Sequence, residues 1–313
     1  MALRIKSLIV HLSLFFATFV TVTLAGVQWL NKDPFELANL PYGLEYGCLI
    51  LLFLSAHEFG HYFAARAHKV ETTLPYFLPF PAFLGIAPFG TFGAVIKVKS
   101  GLDSRRALFD IGAAGPISGF VVCIVMLVIG FRTLPPFAYL QTIHPNYITP
   151  DSIPHEGLEF GYSALYWLLA QLVPQANTFV PPMNEMYHYP LLCTGWFGLF
   201  VTALNLIPIG QLDGGHVVNA LFDESANRIG QAALILLVAL GSLGILPVFG
   251  INVAVGWMGW LVWAIVLAVM MRSSRFRRPP LVDTEPLTTG RRVLGWLCIA
   301  IFVVSFIPVP VNP

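Results

Sequence analysis

The chain has 313 residues, of which 57% are hydrophobic and 11% are charged. A soluble domain carries roughly 25% charged residues, so this composition excludes an ordinary soluble globular protein. The 17 basic and 16 acidic residues leave a net charge of +1, which gives no overall field to attract nucleic acid. We therefore expect a single integral membrane domain over residues 1–313 that lies in the lipid bilayer and binds no nucleic acid.

Apolar segments of membrane-spanning length recur along the chain. A helix rises 1.5 Å per residue, so crossing a hydrocarbon core of roughly 30 Å takes about 20 apolar residues. The sequence predicts an all-α polytopic membrane protein with about seven transmembrane helices. These predicted spans cover residues 8–30, 44–67, 108–131, 191–209, 232–249, 253–271 and 293–306.

The lysines and arginines indicate an orientation. With seven spans and a cytoplasmic amino terminus, 15 of the 17 fall on the cytoplasmic side, and Lys32 and Arg132 fall outside. Cytoplasmic loops are enriched in these residues near span ends. The pattern therefore predicts a non-cytoplasmic loop over 132–190, in which residues 158–173 form an interfacial helix, and a basic cytoplasmic linker over 272–292.

Residues 74–98 are apolar but cannot form one helix. They contain four prolines and three glycines, which break a continuous helix. Non-helical backbone at membrane depth is tolerated when it is buried in protein or lines a watery cavity. We expect a membrane-associated loop or β-hairpin beside a polar chamber, with residues 91–99 as strand; an interfacial loop is the alternative.

The motif HEFGH places His57, Glu58 and His61 in the second predicted span. Positions i and i+4 share one face of a helix, so both imidazoles can bind one metal ion while the glutamate reaches its bound water. Ionisable groups are costly within a membrane and mark functional sites. The alternative is a structural cluster in which the three residues pair with one another. The motif predicts a metal site on the cytoplasmic side of the membrane midplane.

A catalytic zinc site needs a third protein ligand and an open fourth position. The segment NLIPIGQLDGGH offers Asp213 at a proline- and glycine-rich turn, although this carboxylate is equally suited to capping the helix that follows. His216 is a rival ligand. Asn205 is suited either to a hydrogen bond between helices or to holding a substrate or a developing oxyanion.

Other polar and small residues are predicted to be structural. The glycines and alanines of residues 110–119 allow close helix packing. The four cysteines lack CxxC spacing and are predicted to be packing residues. His155 and Glu156 lack a second histidine at the required spacing. We also expect no ligand role for four histidines without ligand-spaced partners: His11, His68, His144 and His188.

HEFGH on one membrane helix and NLIPIGQLDGG on another together resemble the site-2 protease family of polytopic zinc metalloproteases. The resemblance covers residues 44–219, the predicted catalytic core. The run GTFGAVIKVKS is similar to the branch of this family without PDZ or CBS domains. The resemblance implies regulated intramembrane proteolysis of transmembrane protein substrates, such as anti-sigma factors or remnant signal peptides. We expect the bacterial plasma membrane, with a plastid membrane as the alternative.

The same resemblance assigns roles to individual residues. It implies that His57, His61 and Asp213 bind one Zn²⁺ per chain and that Glu58 is the general base. It implies that Asn205 helps to hold the substrate or the transition state. Two other classes remain as alternatives, an inactive membrane scaffold and a zinc-binding transporter. A transporter would distribute ionisable residues along several spans, whereas here they cluster in two motifs.

Overall fold

The computed structural model describes residues 2–82, 89–99, 104–154, 157–251, 253, 255–272, 283 and 285–312. The protein is mostly helical; the small sheets of the described residues are the β-hairpin that the sequence predicted and a second pair of strands that it did not predict. Its helices are α1 (Ala2–Gln28), α2 (Leu40–Ala67), α3 (Arg105–Arg132), α4 (Ala138–Ile143), α5 (Ala164–Leu172), α6 (Pro190–Asn205), α7 (Asp213–Phe222), α8 (Ala226–Leu243), α9 (Gly259–Arg272) and α10 (Thr289–Ser305). Its strands are β1 (Tyr76–Pro79), β2 (Thr91–Val95), β3 (Glu159–Phe160) and β4 (Val311–Asn312).

Within the described ranges, four helical segments are long and apolar enough to cross a membrane: Lys6–Gln28, Leu37–Ala67, Arg105–Arg132 and Asp213–Phe249. The protein is therefore an integral membrane protein, but the predicted count of seven spans is not confirmed. Helices α6 and α9 are apolar but have only 16 and 14 residues, which is short of the roughly 20 that a bilayer requires. The span predicted over residues 232–249 is part of a longer segment. That segment begins at Asp213, the first residue of α7, and continues through α8.

The core is built around α2 and α3. Helix α2 packs against α1 on one side and α3 on the other, and α3 also packs against α6 and α7. Backbones approach closely where glycine removes the side chain: a Cβ at Gly43 of α2 would lie 2.0 Å from the Thr23 carbonyl oxygen of α1. Phe53, Leu127 and Trp196 are buried between these helices. This packing fixes the helix that carries HEFGH.

A β-hairpin lies beside α1 and α2, as the proline-rich segment predicted. Strands β1 and β2 pair antiparallel, with Tyr76 opposite Val95 and Pro79 opposite Thr91. Strand β2 ends at Val95 rather than at residue 99, although Val98 forms an isolated bridge with Thr72. Among the described residues these two strands form a two-stranded sheet, so the second edge of β2 is not paired with a strand.

The helix predicted over residues 158–173, between α3 and α6, is shorter than expected. Helix α5 begins at Ala164 rather than at residue 158, because Glu159 and Phe160 form β3 and pair with β4. The hydroxyl of Ser163 accepts a hydrogen bond from the Tyr166 backbone N–H at 3.1 Å and so caps the helix.

The predicted basic linker falls mostly outside the described residues. In the part that is described, the Asp283 carbonyl accepts a hydrogen bond from the Arg105 backbone N–H at 3.0 Å. Glu285 forms an ion pair with Arg106 at 2.6 Å. These contacts join the approach to α10 to the beginning of α3.

Candidate metal centre

The two motif histidines lie on one face of α2, as their spacing predicts. His57, Glu58 and His61 are buried, with 4%, 6% and 6% of their surface exposed. The Nε2 atoms of the two imidazoles are 3.1 Å apart. Because both rings converge in a buried place, an ion between them would be shielded from bulk water.

Asp213 joins the histidines from a different part of the chain. Helix α6 ends at Asn205, and Gly210, with φ of 60°, turns the chain so that α7 can begin at Asp213. The Asp213 Oδ2 atom lies 3.3 Å from Nε2 of His57 and 3.3 Å from Nε2 of His61. The structure therefore brings the three predicted ligands together, at the first residue of a helix that packs on α3.

The donor atoms of this group fit a tetrahedral metal ion. Zinc bonds of 2.0–2.1 Å at tetrahedral angles separate neighbouring donors by about 3.3 Å, and the three distances in the group are 3.1, 3.3 and 3.3 Å. The Ile111 carbonyl can only accept, so His61 donates to it from Nδ1 at 2.7 Å and its Nε2 presents a lone pair. The three residues can therefore hold one ion.

The small residues of α3 lie directly against these ligands. A Cβ at Gly115 would lie 2.0 Å from the His61 Nε2 atom, in the place that the imidazole occupies. A Cβ at Gly112 would lie 2.7 Å from the Cβ atom of His216 and 3.2 Å from the Asp213 carbonyl oxygen. The glycines thus allow α2 and α7 to approach α3 closely enough for their side chains to meet.

Glu58 and Asn205 lie at the edges of the same group. Glu58 lies close to the backbone N–H of Ile96, the residue that follows β2. The Asn205 Nδ2 atom lies 3.3 Å from the His57 Nε2 atom. The hairpin therefore reaches the glutamate, and the last residue of α6 reaches the metal-binding nitrogen. His216, the rival ligand, is not a member of this three-residue group.

A second group of potential metal ligands was missed by the sequence reasoning. His144, Glu185 and His188 come together, with the Nε2 atoms of the histidines 3.0 Å apart. The expectation that His144 and His188 have no ligand partners was therefore wrong. That expectation rested on spacing along a single helix. In the structure His144 lies just after α4, whereas Glu185 and His188 lie just before α6. The i, i+3 spacing of Glu185 and His188 was the available sequence signal.

The remaining histidines and cysteines have other environments. His68 pairs with Asp110 at 2.7 Å, and the His11 ring contacts the Pro75 carbonyl oxygen at 3.0 Å. His155 and Glu156 lie outside the described residues. The cysteines are free thiols; Cys123, Cys193 and Cys298 are buried as expected, whereas Cys48 is exposed on the outer face of α2.

Comparison with known proteins agrees with this geometry. The family model described as Peptidase family M50 matches residues 46–246. The protein named "Probable zinc metalloprotease EGY1, chloroplastic" from Arabidopsis thaliana is 32% identical over 283 residues, which cover 88% of this chain and 44% of that protein. "Probable zinc metalloprotease EGY2, chloroplastic" from Oryza sativa subsp. indica is 31% identical over 77% of this chain and 40% of its own length. The chain thus spans less than half the length of these relatives. It belongs to peptidase family M50, the site-2 protease family that its two motifs resemble.

Proposed function

We propose that this chain is an intramembrane zinc metalloprotease that hydrolyses peptide bonds within or near transmembrane segments of other proteins. The observation that carries the proposal is the group formed by the buried His57 and His61 and the partly buried Asp213, with Glu58 on the same helix as the histidines. A metal ion held by two histidines and one carboxylate, with a glutamate next to it, is the arrangement used for metal-assisted hydrolysis. Its position within α2 limits the substrates to chains that can enter the membrane domain.

Glu58 is the proposed general base. A bound zinc ion supplies a Lewis acid that polarises the peptide carbonyl and lowers the pKa of water. Glu58 accepts the proton of the attacking water and delivers it to the leaving amine. The nearby backbone N–H of Ile96 can donate to one carboxylate oxygen, which leaves the other oxygen available for the proton.

Asn205 is the proposed substrate-positioning residue. Its amide nitrogen lies 3.3 Å from the His57 Nε2 atom, at the border of the metal group. A donor in this position can form a hydrogen bond to a substrate carbonyl or to the negative charge that develops on its oxygen. Because Asn205 ends α6 while His57 belongs to α2, the packing between these two helices sets the distance.

The hairpin is the proposed docking site for the substrate backbone. A transmembrane helix must unwind locally before its peptide bonds can be cleaved, and the released N–H and C=O groups then need new partners. The second edge of β2 can supply them by accepting another strand. Since Ile96 contacts Glu58, a strand added along β2 passes beside the proposed base.

The active site is proposed to face the side of the membrane that carries most lysines and arginines. This is the cytoplasmic side of a bacterial plasma membrane, on which the amino terminus also lies. The relatives described above are named as chloroplastic, so a plastid membrane is the other host to test. We propose residues 44–219 as the catalytic core, because His57, Glu58, Asn205 and Asp213 all lie within them.

The test compares membrane proteomes of cells that produce the native chain or Glu58→Gln. We expect full-length or pre-trimmed single-span proteins, such as anti-sigma factors or remnant signal peptides, to accumulate only with the variant. The zinc content of both purified chains should be equal, because the glutamate is not one of the three ligands. Equal substrate levels with equal zinc would reject the protease and favour a membrane scaffold. Zinc flux into proteoliposomes that persists in Glu58→Gln would favour a transporter.

A further inference from the structure

We propose that His144, Glu185 and His188 form a second metal site, for a divalent transition-metal cation of the zinc type. The Nε2 atoms of the two histidines are 3.0 Å apart. The Glu185 Oε2 atom lies 3.5 Å from His144 Nε2 and 3.2 Å from His188 Nε2. These separations bracket the value of about 3.3 Å that neighbouring donors have around a tetrahedral zinc ion.

The hydrogen bonds around the group leave its three inner atoms with lone pairs. The ring of His188 donates from Nδ1 to the carbonyl oxygen of Trp29, so its Nε2 carries no proton in the neutral form. The Asn31 Nδ2 atom, a donor, lies 3.3 Å from the His144 Nε2 atom. The Glu185 Oε2 atom is buried and accepts no hydrogen bond from the described residues. Three acceptors thus face one another between two buried residues, Glu185 and His188, and the partly buried His144, which is unfavourable unless a cation lies among them.

Tyr147 holds two of the ligands in place. The Tyr147 hydroxyl donates to the Glu185 Oε1 atom at 2.8 Å, which turns Oε2 toward the two imidazoles. The Tyr147 ring also stacks on the His144 ring with a centroid distance of 4.6 Å. Such outer partners are typical of metal ligands.

The second site lies at the opposite end of the bundle from HEFGH. His188 comes just before α6, and Asn205 is the last residue of that helix. With 16 residues, α6 separates the two ends by about 24 Å. A metal ion here would join the end of α1, the turn after α4 and the approach to α6. We infer a structural ion that fixes the region between α3 and α6 against the bundle.

Two imidazoles and one carboxylate suit zinc among the divalent cations. The competing explanation is a proton: a doubly protonated His188 would donate from Nε2 to Glu185 and form a buried ion pair without metal. The two explanations differ in metal content. They also predict different results when Glu185 loses its charge. Loss of the carboxylate lowers the amount of bound zinc if the group holds a metal ion, and leaves that amount unchanged if the group is an ion pair.

The experiment measures zinc per chain in the full-length protein, purified in detergent, loaded with zinc and dialysed against metal-free buffer. We expect two zinc ions in the native chain, one in His144→Ala, one in His57→Ala and none in the double variant. His68→Ala is the matched control, because His68 also pairs with a carboxylate but lacks a third ligand in the described part of the chain; it should retain two.

One zinc ion in the native chain, with one in His144→Ala and none in His57→Ala, would overturn the proposal and favour the ion pair. Should His144→Ala fail to fold, Glu185→Gln keeps the shape of the side chain and is expected to reduce the content from two to one. The zinc contents of the native chain and of His57→Ala test the second site even if both variants of that site fail to fold, because neither chain carries a substitution in the second group. A loss of cleavage without a change in zinc content, in any variant, would be evidence about the proposed protease activity and not about this site.

Discussion

The two ends of the bundle present similar donor sets in different surroundings. Each has two imidazoles and one carboxylate within about 3.5 Å of one another, consistent with the spacing of zinc donors. In each, one histidine contacts a backbone carbonyl through Nδ1, and an asparagine amide nitrogen lies 3.3 Å from the Nε2 atom of the other. The donor set alone therefore does not distinguish a catalytic centre from a structural one.

The difference lies in what borders each group. Beside the first are Glu58, which can accept a proton, and a hairpin whose edge can hold an extended peptide. Beside the second are Tyr147, which donates to the ligand Glu185, and the end of α1. A base and a strand edge favour reaction, whereas a neutral donor that fixes a ligand favours stability. The comparison predicts that variants at the two ends will fail in different ways.

Gly115→Ala is expected to have the largest effect that is confined to one of the two ends. The added methyl group would lie 2.0 Å from the His61 Nε2 atom, so the imidazole must leave its position. We expect loss of one of the two bound zinc ions and at least ~100-fold slower cleavage, because several kcal/mol of catalysis depend on the metal. Zinc analysis and a cleavage assay of purified chains measure both effects.

Gly290→Ala is the matched control, because a Cβ there meets no atom of the described residues within 4 Å. It should retain native zinc and native cleavage. If Gly115→Ala kept both ions and the native rate, α3 would have no role in holding the first site. If it lost both ions, the two ends would be coupled and the comparison above would fail.

The first site could be predicted from the sequence because helix geometry places its two histidines on one face of a helix. HEFGH puts His57 and His61 four positions apart, and the turn before α7 indicated where Asp213 would enter. The second site could not be predicted from the sequence, since His144 and Glu185 meet only through tertiary folding of a loop without regular periodicity. The start of α5 was misplaced for a related reason: Glu159 pairs with Asn312 of β4, near the other end of the chain.

A smaller effect, confined to the first site, is expected from proline in β2. Proline removes a backbone N–H, and alternate residues of a strand direct their N–H groups to opposite edges. Ala94→Pro and Val95→Pro sample the two edges, because no bulge lies between these neighbouring residues, and we expect the one that removes an outward donor to slow cleavage about 10-fold with zinc content unchanged. Ala94→Ser and Val95→Ala control for the changed side chains. Native cleavage rates in both proline variants would remove the strand from substrate binding.

The smallest effect is expected at the second site and concerns stability. In the His57→Ala background, which retains only the second group, chelation should lower the midpoint of thermal unfolding by about 5 °C. An ion present at 100 times its dissociation constant adds about 2.7 kcal/mol to the folded state, and each kcal/mol moves the midpoint of a large domain by about 2 °C. The His57→Ala/His144→Ala chain should not respond to chelator, because neither end can then hold an ion. An equal response in both backgrounds would mean that the chelator acts elsewhere, and that the second end of the bundle is held by a proton.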